Sequence, residues 1–510
     1  MSAFCTSDAL TSRSSIFYTM RHTKKPQMKL GEIAISEIKI NLKSRDDIPP
    51  LLLGLQHIYT NLDLREAVFG ILEANILTDI DPQNGRPGMD LWTILVLGVL
   101  RVNLNWDYDR LEEMANNHKT IRKMLGHGSF SDDYAYKLQT LKDNVYLLTP
   151  EIVEKINQVV VQAGHSMVKK KEDEKLNGRC DSFVVETDVH YPTDINLLFD
   201  AIRKVISLTA TLCTICGITG WRQSIHNIRT VKKLFRKAQK LKRSTSKDPK
   251  KKEKREKLIV EAHQEYIAVA ESFLARAQAS LAEVNGGDVM AMALVMEIEG
   301  YLSHADRQID QISRRVIKGE KIPHNEKVFS IFEEHTEWIS KGKAGVPVEL
   351  GLKVCVLEDQ HGFILHHRVM QNETDDQVAV AMVKQAKEYY PNLFSCSFDK
   401  GFHSPANHKD LTEHLDFVVL PKKGRLSQDD KEREYSEDFI NARYQHSAVE
   451  SAINALEVHG LDRCLDHGID GFRKYVALAV LGRNIQQLGL KLRQQELDRQ
   501  QVKEKLKKAA

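Results

Sequence analysis

The segment Leu393-Phe-Ser-Cys-Ser-Phe-Asp399 alternates apolar and polar side chains, as a β-strand with one buried face does. Its apolar face carries Phe394, Cys396 and Phe398. Its polar face ends at Asp399, the last residue of the predicted strand. Because open α/β sheets bind ligands beyond the carboxyl ends of their strands, Asp399 is a candidate site residue.

Helices and strands alternate around this segment. Helical spacing predicts helices over Thr374–Tyr390 and Ser404–Leu415, and the run Asp416–Pro421 predicts a strand. Three further strands, with Gly-rich turns between them, are predicted as an antiparallel meander: Lys327–Phe332, Pro347–Leu357 and Gly362–Val369. Strands in succession followed by alternating helices and strands predict a mixed α/β sheet.

The first strand of this sheet is predicted at Cys180-Asp-Ser-Phe-Val-Val-Glu-Thr187, before Tyr191-Pro192. A helical stretch over about residues 195–318, broken by a turn at residues 243–249, predicts an inserted helical hairpin. Its tip concentrates basic side chains: Lys240, Lys242, Arg243, Lys247, Lys250, Lys251, Lys252, Lys254, Arg255 and Lys257. A solvated face and a phosphate-binding surface explain this run about equally well.

Before the sheet, residues 1–45 are predicted to form a flexible arm, and residues 46–150 an all-α domain. Helical periodicity is dense in three stretches of that domain: Leu62–Ile76, Met89–Leu104 and Tyr108–Met124. The domain suits a helix-turn-helix with basic residues at one end, Lys119, Arg122 and Lys123. A purely structural bundle explains the same pattern equally well.

Composition alone does not identify a partner. The 510 residues contain 73 Lys and Arg against 70 Asp and Glu, a formal charge of +3, so an electropositive surface must come from local clustering. Of seven cysteines only Cys213 and Cys216 are closely spaced, and no second pair completes a zinc site, so we expect reduced thiols, with this pair in a buried segment. The N-terminus lacks a secretory pattern, and the apolar stretches Leu91–Val102 and Val205–Trp221 suit buried helices.

A third acid follows the sheet. Val449, Ile453 and Leu456 form an apolar stripe at helical spacing, and Glu450 faces a different, polar side of the same helix. A lone aspartate at a strand end is usually a cap or a surface residue. Acids that converge raise one another's pKa unless cations lie between them, and Mg²⁺ prefers such oxygen ligands.

The sequence resembles the DDE transposases of bacterial insertion sequences, most closely the group that includes the ISNCY elements, over about residues 60–490. The resemblance rests on three stretches: Arg179-Cys-Asp-Ser-Phe-Val-Val-Glu-Thr-Asp-Val-His-Tyr-Pro-Thr-Asp194, Ser397-Phe-Asp-Lys-Gly-Phe-His403 and His446-Ser-Ala-Val-Glu-Ser-Ala-Ile-Asn-Ala-Leu-Glu-Val-His-Gly-Leu461. It implies an α/β fold, a ribonuclease-H-like mixed sheet with a long helical insertion, preceded by the all-α domain. The catalytic domain would span residues 175–490, before a charged tail at residues 491–510.

The resemblance implies that Asp181, Asp399 and Glu450 are the catalytic residues and hold two Mg²⁺ or Mn²⁺ ions. The strand residues alone leave Asp188 as an alternative to Asp181. Related transposases often have a Tyr-x2-Arg-x3-Glu-x6-Lys signature, whose four positions are occupied here by Arg443, His446, Glu450 and Glu457. His403, His446 and Arg443 are candidate phosphate contacts.

The expected function is transposition. A homo-oligomer would bind double-stranded DNA at terminal inverted repeats, cleave a strand, and join the exposed 3′-OH to target DNA. The expected DNA-binding residues are Lys119, Arg122, Lys123, Lys242, Arg243, Lys250, Lys251 and Lys252. The expected location is cytoplasmic and nucleoid-associated, with no membrane partner. A structure-specific nuclease and a non-catalytic DNA-binding protein are the two alternatives.

Overall fold

The N-terminal part of the protein is helical. The computed structural model describes residues 19–24, 31–77, 86–128, 133–169, 171, 174–242, 248–284, 288–340 and 347–509. Two short strands, β1 (Thr19–Met20) and β2 (Arg86–Pro87), pair in parallel. A 3-10 turn at Ile35–Glu37 precedes seven helices: α1 (Ile48–Thr60), α2 (Leu62–Ile76), α3 (Leu91–Asn103), α4 (Tyr108–Asn117), α5 (Lys119–Met124), α6 (Leu138–Val145) and α7 (Pro150–Val168).

Residues 31–45 lie within the predicted flexible arm, and apolar side chains hold them against α1. Ile35 and Ile38 are buried in the same hydrophobic cluster as the helices. The Gln56 side chain, on α1, donates hydrogen bonds to the backbone carbonyls of both residues, at 2.6 and 2.9 Å. These contacts fix the segment because they satisfy its polar backbone while they bury its apolar side chains.

The sheet is mixed and has seven strands: β3 (Leu176–Thr187), β4 (Glu337–Ser340), β5 (Val348–Glu358), β6 (Ile364–Met370), β7 (Leu393–Phe398), β8 (Phe417–Val419) and β9 (Arg463–Cys464). Its main order is β4-β5-β3-β7-β8, with β6 paired to β5 and β9 paired to β3. The β3–β7 and β7–β8 pairs are parallel, whereas β4–β5 and β5–β6 are antiparallel. The prediction of a mixed α/β sheet is therefore confirmed.

One predicted strand is wrong. Lys327–Phe332 forms no strand, because it follows a 3-10 turn at His324–Glu326 and then bends. Its Phe329 ring packs against Trp338, with ring centroids 5.6 Å apart, so side-chain packing takes the place of a β-ladder. The strand that pairs with β5 is β4, a few residues later.

Helices from the last part of the chain pack on both sides of β3. These are α12 (Asp375–Tyr389), α13 (Pro405–His414), α14 (Gln428–Glu434), α15 (Glu437–His446), α16 (Ala448–Leu456) and α17 (Gly468–Ala509), with a 3-10 turn at Lys400–Phe402 and a π-turn at Glu457–Leu461. Cys180 of β3 and Phe398 of β7 are buried in a cluster with α12 and α13. Val185 of β3 is buried in the cluster formed by the N-terminal helices and α17.

The chain divides into two compact units, residues 1–186 with 352–510 and residues 187–351. The all-α segment and the sheet strands share a hydrophobic cluster within the first unit, so no unit boundary falls near residue 150. The second unit is built on four helices, where the sequence predicted a hairpin: α8 (Asp194–Cys216), α9 (Ser224–Lys242), α10 (Pro249–Ala282) and α11 (Val289–Ile312), followed by a π-turn at Ser313–Ile317.

The stretch Leu91–Val102 lies within α3, whereas the stretch Val205–Trp221 is helical only as far as Cys216, where α8 ends before Gly217. Every residue of α3 is buried, and Val205 and Cys213 of α8 are buried as well. Cys216 at the end of α8 is exposed, so the pair of cysteines is only half buried, and both are free thiols. In the part of the chain that the structure describes, no helix is long and apolar enough to span a membrane.

Candidate active site

Asp181 and Asp399 directly follow the last residue pair of two parallel strands. In the β3–β7 ladder Arg179 lies beside Ser397 and Cys180 beside Phe398, which is the last pair. The next residue of β3 is Asp181, and Asp399 follows the end of β7 as the N-cap of the 3-10 turn. Because Cys180 and Phe398 point into the buried cluster, alternation directs both aspartates to the opposite face of the sheet.

The carboxylate of Asp375, which joins those of Asp181, Asp399 and Glu450, lies beside this pair. Asp375 is in the first turn of α12, and its carboxylate accepts hydrogen bonds from the Ser182 hydroxyl at 2.7 Å and from the Lys353 ammonium at 3.0 Å. A methyl group placed on Gly401 would lie 3.2 Å from Asp375 Oδ2 and 3.6 Å from Asp399 Oδ2. Glycine at position 401 therefore keeps open the small space that these two carboxylates share.

Glu450 reaches the same group of charges from α16. It is exposed in the first turn of α16, which starts after a break at Ser447, so His446 and Glu450 lie on two consecutive helices rather than one. Val449 and Leu456 are buried as the predicted apolar stripe requires. Position 450 is thus directed away from the core by the burial of its neighbours.

The negative charges of the four acids repel one another. The pKa of Asp181 is raised from 3.8 to about 6, mainly by burial, with the negative charges of Asp399, Asp375 and Glu450 adding to the rise and a backbone hydrogen bond from Ser182 opposing it. Removal from water and like charges both disfavour the ionised form. The energetic consequence is that the site favours uptake of positive charge, either a proton or a cation.

His446 and Arg179 lie on the same side of the sheet. The Ser397 hydroxyl is 3.0 Å from His446 Nδ1, and burial lowers the pKa of His446 although Asp399 and Glu450 raise it. Arg179 donates to the Asp359 carbonyl at 2.9 Å and lies 3.8 Å from the Glu358 carboxylate. His446 is therefore held at the edge of the acidic group, and Arg179 is already paired.

His403 follows Asp399 closely and lies near several cations. Burial lowers its pKa, as do the positive charges of Arg433, Lys422 and Lys423. The Lys423 ammonium also donates to the Gly401 carbonyl at 2.8 Å, beside Asp399. Arg443 is exposed on α15.

The acids fit a divalent cation in part. Among the described residues, no group of three or more His, Cys, Asp or Glu side chains is close enough together to hold a metal ion. Mg²⁺, however, is usually bound through one or two carboxylates together with water and substrate phosphates. Asp181 and Asp399 provide two carboxylates that could serve as such oxygen ligands. The charge of Asp399 adds to burial in raising the pKa of Asp181.

The remaining predicted residues lie outside this group. Asp188 is exposed after the end of β3 and belongs to the second unit.

The predicted DNA-binding residues of the N-terminal helices lie on the short α5. Lys119 is exposed at its start, and Lys123 is half-buried near its end. Arg122 donates hydrogen bonds to the carbonyls of Asn116 and Tyr134, each at 3.2 Å. The basic residues of the insertion are Lys242, at the end of α9, and Lys250, Lys251 and Lys252, exposed at the start of α10; Arg243 lies outside the described residues.

Sequence reasoning missed Asp375, Lys353 and Lys423. Asp375 follows the N-cap Thr374 and was interpreted only as part of a helix start. Lys353 stands between apolar neighbours in β5, where a lysine needs a polar partner, and that signal was present in the sequence. Lys423 follows a strand in a loop that has no distinctive pattern.

No family model, curated protein or solved structure matches this chain.

Asp181→Asn is expected to stabilise the metal-free protein at pH 8 by up to about 3 kcal/mol. This is the free energy that corresponds to the difference of about two units between the pKa values of Asp181 in the folded and unfolded states. Because the folded-state pKa of Asp181 is raised to about 6, its stabilising contribution is present below pH 4 and is lost as the pH rises through 6. Thermal unfolding with a chelator, from pH 4 to pH 8, measures this difference. Mg²⁺ should stabilise the wild type and not the variant.

Asp410→Asn, in an exposed carboxylate of α13, serves as the control and should follow the wild type at every pH. Identical pH dependence in wild type and Asp181→Asn would contradict the electrostatic account.

Proposed function

We propose that this protein is a DDE transposase that cleaves DNA at the ends of a mobile element and joins the exposed 3′-OH to target DNA. The observation that carries the proposal is that Asp181 and Asp399 each follow the last residue pair of the β3–β7 ladder, Cys180 with Phe398, and that the charges of Asp399 and Glu450 both act on Asp181. Convergent carboxylates of this kind are what divalent-metal phosphoryl transfer requires.

The sheet order supports a ribonuclease-H-like fold. The strands β3, β5 and β6 occur in this order in the sequence and are neighbours in the sheet, while β7 and β8 add in parallel on the other side of β3. Helix α12 connects β6 to β7 and α13 connects β7 to β8, and the helical insertion and β4 lie between β3 and β5. This is the arrangement that the resemblance implies, with the candidate acids at the carboxyl end of the β3–β7 pair.

In this proposal Asp181, Asp399 and Glu450 hold Mg²⁺ or Mn²⁺, which supplies Lewis-acid activation of water or a 3′-OH and neutralises charge on the phosphate. Lys353 pairs with Asp375 and keeps this extra carboxylate neutralised beside the site. His446, fixed by Ser397, is placed to hydrogen-bond to a phosphate or to the attacking oxygen. Lys423 places a cation at the turn after Asp399, where a phosphate diester would need one.

DNA binding is proposed for the start of α10. Lys250, Lys251 and Lys252 are exposed, and the ion pair that Lys251 makes with Asp248 is long, at 4.0 Å. Such a pair in water is weak, so the ammonium groups remain able to contact phosphates. The N-terminal helices are a poorer candidate surface, because Arg122 is bonded to backbone carbonyls.

Cleavage and joining are expected when the purified protein is incubated with Mg²⁺ and labelled duplexes that carry the ends of its element. Asp399→Ala should lower both rates by about a thousandfold or more, since metal-assisted charge stabilisation is worth several kcal/mol. The matched variant Asp410→Ala, which removes an exposed carboxylate of α13, should retain both activities. Product analysis on denaturing gels measures both steps.

The other outcomes identify the alternatives. Cleavage without joined products would indicate a structure-specific nuclease. Binding of the ends with neither cleavage nor joining, under Mg²⁺ and under Mn²⁺, would overturn the catalytic proposal and favour a DNA-binding protein.

Replacement of Lys250, Lys251 and Lys252 by alanine should weaken DNA binding at low salt. If each lysine contacts one phosphate, the slope of log K against log salt should become less negative by about 3. Binding titrations over a range of salt concentrations measure the slope. The matched variant replaces Lys318, Lys321 and Lys327, which are exposed in the same unit, and should leave the slope unchanged. Equal effects of the two variants would contradict a specific role for the start of α10.

A further inference from the structure

A polar groove of about 500 Å³ lies between the sheet and α15, in line with the candidate active site. Its floor consists of two successive pairs on the β3–β7 ladder, Asn177 with Ser395 and Arg179 with Ser397. Asp181 and Asp399 directly follow the last pair of this ladder, Cys180 with Phe398. The groove therefore continues the row of side chains that ends at the candidate catalytic acids.

The facing wall is one side of α15. Asp438, Asn441, Ala442 and Gln445 line the groove and recur at i, i+3, i+4 and i+7, so they form one helix face. A helix that packs on a sheet normally presents apolar side chains there. This face instead presents a carboxylate, two carboxamides and a small residue, and space remains between the helix and the sheet.

A β-bulge adds an aromatic ring to the lining. Leu176 pairs with Leu393 and Asn177 with Ser395, so Phe394 is the extra residue of the bulge on β7. Bulges redirect side chains, and the Phe394 ring lines the groove together with Phe417 of β8. The groove thus combines aromatic surface with amide donors and acceptors.

The charges of the lining disfavour a phosphate. Asp416 and Asp438 are carboxylates at the groove, and the guanidinium of Arg179 is already engaged by Glu358 and the Asp359 carbonyl. A neutral group with hydrogen-bonding edges and a flat face suits these walls better. A nucleobase has both properties, since amide side chains read base edges and aromatic rings stack on bases.

Such a base would have left its stack, because the aromatic rings and amide side chains of the lining, rather than neighbouring bases, would contact it.

We propose that this groove binds one unstacked nucleobase of the DNA strand whose phosphate lies at the candidate catalytic acids. The placement of the phosphate rests on the proposed function, whereas binding of a base in the groove can be tested separately. The groove would hold the strand end in a single-stranded form beside the site of cleavage and exclude an intact duplex at that position.

The experiment is photo-crosslinking of the full-length protein to a forked duplex with a single-stranded 3′ tail that contains 5-iododeoxyuridine. Ca²⁺ replaces Mg²⁺, and mass spectrometry maps the crosslinked peptides. The wild type should crosslink at peptides that contain Phe394 or Phe417, or within α15. Ala442→Phe, which fills the groove, should reduce this crosslink by about tenfold, the effect of a lost stacking contact.

Two further variants separate the groove from folding and from catalysis. Asn441→Ala with Gln445→Ala changes only exposed side chains and should also reduce the crosslink. Asp399→Ala should retain it. The matched control Ala406→Phe, at an exposed position of α13, should behave as the wild type does.

Crosslinks that map outside the groove, no crosslink at all, or a groove crosslink that Ala442→Phe leaves unchanged would each overturn the inference. A protein that cuts and joins DNA but crosslinks elsewhere would retain the proposed function and lose only the base-binding groove. A protein that crosslinks in the groove but neither cuts nor joins would retain the groove and lose the proposed function.

Discussion

The parallel pairing of β3 with β7 is the constraint on which the candidate site depends. Register is fixed because a shift of one residue would move Cys180 and Phe398 out of their buried cluster and bring polar side chains into it. The same register leaves Asp181 and Asp399 side by side on the opposite face. Burial of one face of the sheet thus places two carboxylates, which repel each other, on the other face. The pKa of Asp181 is raised by burial and by the charge of Asp399.

Packing on the far end of β3 holds this arrangement in place. Val185 lies in the cluster shared by the N-terminal helices and α17, so the all-α segment supports the sheet directly. Asn484 of α17 accepts a hydrogen bond from the Ile364 backbone N–H at 2.9 Å and donates one to the Ile364 carbonyl at 2.9 Å. A buried polar group with both partners satisfied ties α17 to β6 in one register.

Helices and strands were predicted best where the spacing of apolar residues in the sequence matches the burial of those residues in the structure. It predicted α2 at Leu62–Ile76, and it placed Cys396 and Phe398 correctly on the buried face of β7. It was wrong for Phe394, which a β-bulge removes from that face, and Ser395 and Ser397 of the predicted polar face are buried as well. It failed at Lys327–Phe332, where a β-rich run packs through an aromatic ring, because propensity does not reveal which strand supplies the hydrogen-bonding partner. Asp375 was missed because its role depends on the approach of α12 to the strands, which is tertiary information.

The proposed function requires that Asp181 and Asp399 together bind a divalent metal for phosphoryl transfer. The most direct test is an anomalous difference map from crystals of the protein soaked in Mn²⁺. A peak bonded to carboxylate oxygens of both Asp181 and Asp399, and absent from Asp399→Ala crystals, is the predicted result. Mn²⁺ bound only at other sites, with neither carboxylate as a ligand, would contradict the claim.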